Sequence, residues 1–251
     1  MMRVYLAAML TAVSVTVLYF AIQPYPELAS LSSNVTEPAF SLIALLSGLY
    51  AVKRYGGFRA KGIVRCFLWL TVAYSLWFLG EATWSFYVLC LGVSVPYPSV
   101  ADIFWLAGYP FMLLAMLVYL RPFRQALDIR RLGSALAISV IMVAAIAVFL
   151  VVPVFKGSIE PVEQAIDFAY PILDVALLFF SILGILAFAK GRIGCAWYFL
   201  ASGAALIAIA DIMFSYATAS DVYYEGHPLE LFYHYGYLML ALASHEHSKV
   251  I

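Results

Sequence analysis

Cys66-Phe-Leu-Trp-Leu-Thr-Val-Ala-Tyr-Ser-Leu-Trp-Phe-Leu-Gly80-Glu81-Ala-Thr-Trp84 is the stretch that decides how this sequence folds. From Cys66 to Gly92 it is predominantly apolar, and Glu81 is its one charged residue. A helix rising 1.5 Å per residue needs about 20 such residues to cross about 30 Å of hydrocarbon, and this run is long enough. Working outward, similar runs lie at residues 4–22, 38–54, 101–120, 133–155, 164–189, 194–218 and 228–246. Together they predict an all-α, multi-pass membrane bundle of about eight transmembrane helices.

Composition agrees. The 251 residues are 65% hydrophobic and 11% charged, with mean hydropathy +0.97. Soluble domains carry about 25% charged residues, so the lipid bilayer is the expected environment, and no nucleic-acid partner is expected. The first run follows Arg3 as a signal peptide's would, but it has no convincing small-residue cleavage site. It reads as a retained helix. Cys66, Cys90 and Cys195 are an odd, scattered set inside or beside apolar runs, and they read as packing residues, not a disulfide framework.

Charge is sorted along the chain. Arg3, Lys249 and the connections holding Lys53, Arg54, Arg59, Lys61, Arg65, Arg121, Arg124, Arg130, Arg131, Lys190 and Arg192 all fall on one side; only Lys156 falls on the other. The positive-inside rule makes the basic side cytoplasmic, with both termini there. The connections bearing Glu27, Glu37, Glu160, Glu163, Asp221 and Glu225 then face out, as does the glycosylation sequon Asn34-Val-Thr36, read as part of an outside loop.

The two halves resemble each other. Cys66-Phe-Leu-Trp-Leu and Cys195-Ala-Trp-Tyr-Phe open the third and seventh spans, and Glu81 corresponds to Asp211 at an offset of 130. Asp102-Ile-Phe-Trp-Leu-Ala-Gly-Tyr109 corresponds to Glu230-Leu-Phe-Tyr-His-Tyr-Gly-Tyr237 at an offset of 128. Residues 1–125 and 126–251 thus read as two parallel four-helix repeats, related by an axis along the membrane normal.

Five carboxylates, Glu81, Asp102, Asp174, Asp211 and Glu230, are singled out within the predicted spans, with Asp167 at the outer end of the sixth, and all of these belong to the outer half of the membrane. An acid near the bilayer centre costs about 2.5–3.5 kcal/mol, and the Lys and Arg residues lie at the helix ends, out of reach of pairing with it. Such acids can be protonated, hydrogen-bonded to aromatic neighbours, or engaged with a cation or amine. Asp102 and Glu230 begin helices, where a carboxylate is favourable in any case. Trp84, Tyr109, Tyr170, His234 and Tyr237 lie at the same level, and Tyr109-Pro110 and Tyr170-Pro171 can free backbone carbonyls. These ten residues are the candidate ligand-binding set, expected to line a polar cavity open to the outside. The alternative is polar glue that fixes helix packing and binds nothing.

Other chemistry finds little support. His245-Glu-His247 reads as a solvated tail, a divalent ion at Glu81, Asp211, Glu230 and His234 has no diagnostic spacing, and only His234 could serve a haem. No HExxH, nucleophile elbow or phosphate loop is present, and no span holds a lysine away from its end for retinal. No cofactor and no catalytic residue is assigned.

The ordered series Gly80-Glu81-Ala-Thr-Trp84, Pro98-Ser-Val-Ala-Asp102-Ile-Phe-Trp-Leu-Ala-Gly-Tyr109-Pro110, Tyr170-Pro-Ile-Leu-Asp174, Asp211 and Gly236-Tyr237 resembles a known region. It is similar to the N-terminal multi-span membrane region of bacterial GGDEF diguanylate cyclases and of archaeal and bacterial PAS-containing histidine kinases. The resemblance implies sensory input without naming the ligand. No GGDEF, PAS or kinase domain follows the last span, so a separate cytoplasmic signalling partner is expected. A sensory or ligand-binding module in the cell membrane is therefore the leading expectation, taking a proton, cation or small ligand from outside. A small-solute or ion-coupled transporter and a membrane-embedded hydrolase with paired carboxylates are the alternatives.

Overall fold

The computed structural model describes residues 2–59, 62–146, 160–188 and 194–248. Among them are eight α-helices and no strand: α1 Met2–Ile22, α2 Pro26–Arg54, α3 Cys66–Ser85, α4 Val100–Leu120, α5 Ile129–Ile146, α6 Pro161–Phe188, α7 Gly194–Ala219 and α8 Leu231–His247. A π-helical turn, Phe86–Cys90, extends α3. Helices α1 to α4, α6 and α7 are long and apolar enough to cross a membrane, so the chain is a membrane-associated helical protein. The 17 residues of α8 reach only about 26 Å, somewhat short of the hydrocarbon thickness. The outer end of the expected fifth span (147–155), together with Lys61, Lys156, Lys190, Arg192 and Lys249, lies outside the described residues.

One boundary differs from expectation. The second helix begins at Pro26, not near residue 38, so only Gln23–Tyr25 separate α1 from α2. Proline suits a first turn because its missing N–H has no helical partner there, and Pro38 is carried within the helix. The polar residues that looked like a loop instead face inward: Ser30 and Asn34 both donate to Glu225. Glu27, Glu37 and the sequon are therefore helical, and Asn34 is buried where no glycan fits.

Packing follows a closed order. Helix α2 lies on α3, α3 on α4, α4 on α6, α6 on α7, α7 on α8, and α8 returns to α2. Helices α1 and α5 sit outside this ring, α1 against α2 and α8, and α5 against α6. The outer helix α1 leaves Leu6, Met9, Leu10, Val13, Val17 and Phe20 exposed, an apolar face suited to lipid.

Inside the ring, tryptophans seat on glycines. A Cβ on Gly108 would lie 2.4 Å from the Trp77 indole, and one on Gly80 would lie 2.4 Å from that of Trp105. This reciprocal fit brings α3 and α4 close, as small residues do between membrane helices. Trp77 also donates its indole N–H to the Trp105 carbonyl at 3.1 Å. Between α6 and α7, Trp197 covers Gly184 and donates to the Ser181 carbonyl at 3.2 Å.

Candidate functional site

At the acid-bearing end of the ring, five helices contribute to one buried layer of carboxyls and phenols. Tyr109 of α4 places its hydroxyl 2.7 Å from Asp174 Oδ1 of α6 and 2.6 Å from Asp211 Oδ2 of α7. Tyr233 of α8 donates to Asp211 Oδ1 at 2.7 Å, and Tyr237 of the same helix donates to Glu81 Oε1 of α3 at 2.6 Å. The Trp105 indole also lies near Glu81, and the Asp174 and Asp211 carboxyls lie beside each other. Glu81 and Asp174 are buried, and Asp174 Oδ2 has no donor.

The connections are reciprocal. Tyr237 follows Tyr109 by 128 residues and Asp211 follows Glu81 by 130. Tyr109 serves Asp211 while Tyr237 serves Glu81, so each tyrosine reaches the acid of the other half. The helix entries match as well. Ser99 caps α4, its hydroxyl accepting from the Ala101 N–H, and Asp102 accepts from the Ser99 N–H at 2.8 Å. At an offset of 128, His227 Nδ1 accepts from the Leu229 N–H at 3.1 Å; Glu230 accepts from the Gly226 N–H at 2.9 Å, one residue before the counterpart of Ser99.

The remaining candidates lie in separate clusters. Glu230 accepts from Tyr19 of α1 at 3.0 Å and from Tyr223 at 2.9 Å. Burial, and then the Glu230 carboxylate beside it, lifts the Tyr223 phenol well above its usual range and keeps it a donor. His234 is fully buried, edge-on to Tyr19 and Phe40. Its Nδ1 lies 2.8 Å from the Glu230 carbonyl, which can only accept, so Nδ1 carries hydrogen; Nε2 meets Thr36 at 2.7 Å. His234 thus touches the backbone of Glu230, not its carboxylate. Asp102 is held by its capping box and by Tyr170 at 3.0 Å.

Two expectations need correction. Trp84 shares a helix with Glu81 but does not serve it: its indole, packed on Trp105 and Phe214, donates to Glu225 at 3.3 Å. The acids also do not line one open cavity, because Glu81, Asp174 and Glu230 are buried and each accepts from a phenol. Asp102 alone of the ten candidates borders the pocket formed by Tyr87, Pro98, Ile103, Val162 and Ile166 at the acid-bearing end.

Sequence reasoning missed Tyr233, Tyr19, Tyr223, Glu225 and Glu37. The signal for Tyr233 was available, since it precedes Tyr237 by four residues on one helix face. Glu37 lies within electrostatic reach of Glu81, Glu225 and Glu230. Among the described residues no group of three or more His, Cys, Asp or Glu is placed to hold a metal ion.

At the opposite, basic end the same helices meet again. The Tyr119 ring of α4 lies 4.9 Å from Trp197 of α7, and His247 of α8 lies 4.6 Å from Phe67 of α3. Tyr119 and His247 lie 5.4 Å apart and are themselves separated by 128 residues in sequence. The chain matches no protein-family model, no curated protein and no solved structure, so the functional reading rests on these residues.

Proposed function

We propose that this protein is an integral membrane sensory or ligand-binding module, crossing the cell membrane eight times with both termini cytoplasmic. It receives a signal in the acid and phenol layer near the outer face and passes it to a cytoplasmic signalling partner. The resemblance to the membrane regions of GGDEF cyclases and PAS histidine kinases supports the same reading.

The observation that carries it is the reciprocal exchange of phenols between halves. Tyr109 and Tyr237 bind the acids from α4 and α8, and ten residues further on the same helices present Tyr119 and His247 to the aromatic layer. Ten residues of helix is about 15 Å, and a packed helix moves as a rigid element. A change in either phenol–carboxyl bond therefore has a direct mechanical route to the basic end.

Duplication of a four-helix unit accounts for the arrangement. Positions 101, 102, 108, 109, 112, 115, 116, 119 and 120 are all buried, as are their counterparts 128 residues on. A pseudo-twofold bundle gives both halves the same lever and couples them at the axis.

Hydrogen exchange on the full chain in lipid nanodiscs tests this reading. Tyr237→Phe is expected to accelerate exchange at residues 240–247 as well as around Glu81. A change confined to the acid layer would overturn it.

A further inference from the structure

We infer that Asp174, Tyr109 and Asp211 form a proton-binding site, a carboxylic acid joined through a phenol to a carboxylate. This rests on reading the acid layer as the working site, and it names the ligand. The argument is a count of hydrogens. Tyr109 has one O–H, yet its oxygen lies 2.7 Å from one carboxyl oxygen and 2.6 Å from another. With both carboxyls ionised, one of those contacts would press two oxygens together with no hydrogen between them. A second proton must therefore reside on one of the acids.

Environment decides which acid. Asp211 accepts a phenol on each oxygen, from Tyr109 and Tyr233, so its negative charge is solvated by the protein. Asp174 is 1% exposed, and its Oδ2 has no donor although Asp211 stands beside it. With its hydrogen on Oδ1, facing Tyr109, Asp174 is neutral, and the Oδ2 left without a donor is then a carbonyl oxygen instead of part of a buried charge. The titratable groups facing this pair are Glu81 from α3, Tyr109 from α4, Tyr170 from α6, and Tyr233 and Tyr237 from α8; none of them is a base that would compensate a second charge. The pair holds a single negative charge.

The relay conserves atoms and charge. When Asp174 gives its proton to the Tyr109 oxygen, Tyr109 gives its own to Asp211, so one O–H bond breaks and one forms at each step. The net result moves one proton from α6 to α7 while Tyr109 stays a phenol. Loss of the proton leaves two carboxylates facing each other across one tyrosine, and their repulsion drives α6 and α7 apart.

Infrared difference spectroscopy of the reconstituted full chain, stepped from mildly acid to alkaline pH, tests the inference. A protonated-carboxyl carbonyl absorption is expected at neutral pH, shifting in deuterium oxide, disappearing at alkaline pH, and missing from Asp174→Asn but kept in Asp102→Asn. Tyr109→Phe, which retains both acids, is expected to shift that absorption by removing its hydrogen bond. Absence of the absorption from the unaltered protein, or its persistence unchanged in Asp174→Asn or Tyr109→Phe, would overturn the inference. Hydrogen exchange at residues 240–247 across the same pH steps separates the two readings. An absorption that titrates while exchange stays constant upholds the proton site and defeats the sensory role. A response in exchange without the absorption defeats the proton site alone.

Discussion

Tyr237 of α8 donates its phenolic hydrogen to Glu81 Oε1 of α3 at 2.6 Å. Its counterpart Tyr109 does the same for Asp211. Among the described residues Glu81 and Asp211 have no basic partner and are held by phenols, which supply a hydrogen without supplying a charge.

The phenols should therefore matter more than their apolar surroundings suggest. Hydrogen bonds between membrane helices average about 0.6 kcal/mol and reach about 1.7, and leaving a buried acceptor unsatisfied adds to that. Tyr237→Phe and Tyr109→Phe are each expected to cost about 1–2 kcal/mol in denaturant unfolding of the detergent-solubilised chain. Tyr216→Phe, at a half-exposed position, should cost almost nothing. Equal effects at all three positions would show that the phenols do not hold the acids.

The topology can be read with the native cysteines. Cys90 ends the π-helical turn beyond α3 and Cys195 lies in the first turn of α7; both are exposed, whereas Cys66 is buried. With both termini cytoplasmic, a membrane-impermeant maleimide should label Cys90 in intact cells. It should reach Cys195 only after permeabilisation, and Cys66 only after unfolding. Labelling of Cys195 from outside would reverse the assigned orientation.

His227 gives the loop before α8 an acid-sensitive cap. Its Nδ1 accepts from the Leu229 N–H, which a protonated imidazole cannot do, and burial lowers its pKa from 6.5. A folded-state pKa below the unfolded one makes the contribution complete above about pH 6.5. It is lost as pH falls through the folded value. His227→Asn, which keeps a cap acceptor without a titrating ring, should flatten the dependence of melting temperature on pH between about 4 and 7 relative to the parent chain. An unaltered pH profile would remove His227 from the acid response.

The apolar runs were legible because lipid leaves few alternatives to a helix at that length, and α1, α3, α4 and α7 fall where hydropathy puts them. The start of α2 was not legible. Ser30, Asn34, Glu37 and Pro38 spell a loop until their partners are known, and Glu225 lies far along the chain. Acids stood out in the sequence because charge is rare there. Of their donors, Tyr109, Tyr170 and Tyr237 stood out at the same level, but Tyr19, Tyr223 and Tyr233 did not, because a tyrosine such as Tyr19 inside an apolar run looks like any other interfacial ring. The direction of Trp84 depended on a loop glutamate that periodicity along one helix does not reveal.

The contact between Tyr19 on α1 and Glu230 at the entry to α8 spans 211 residues. During synthesis α1 enters the bilayer early and holds no more than a loose place beside α2. Its phenol then waits through the insertion of every intervening helix before its acceptor emerges. Glu230, for its part, is threaded into the membrane at the moment its donor is already in position. The peripheral first helix therefore acts as a doorpost for α8, holding a donor for Glu230 from outside the ring that α8 closes against α2.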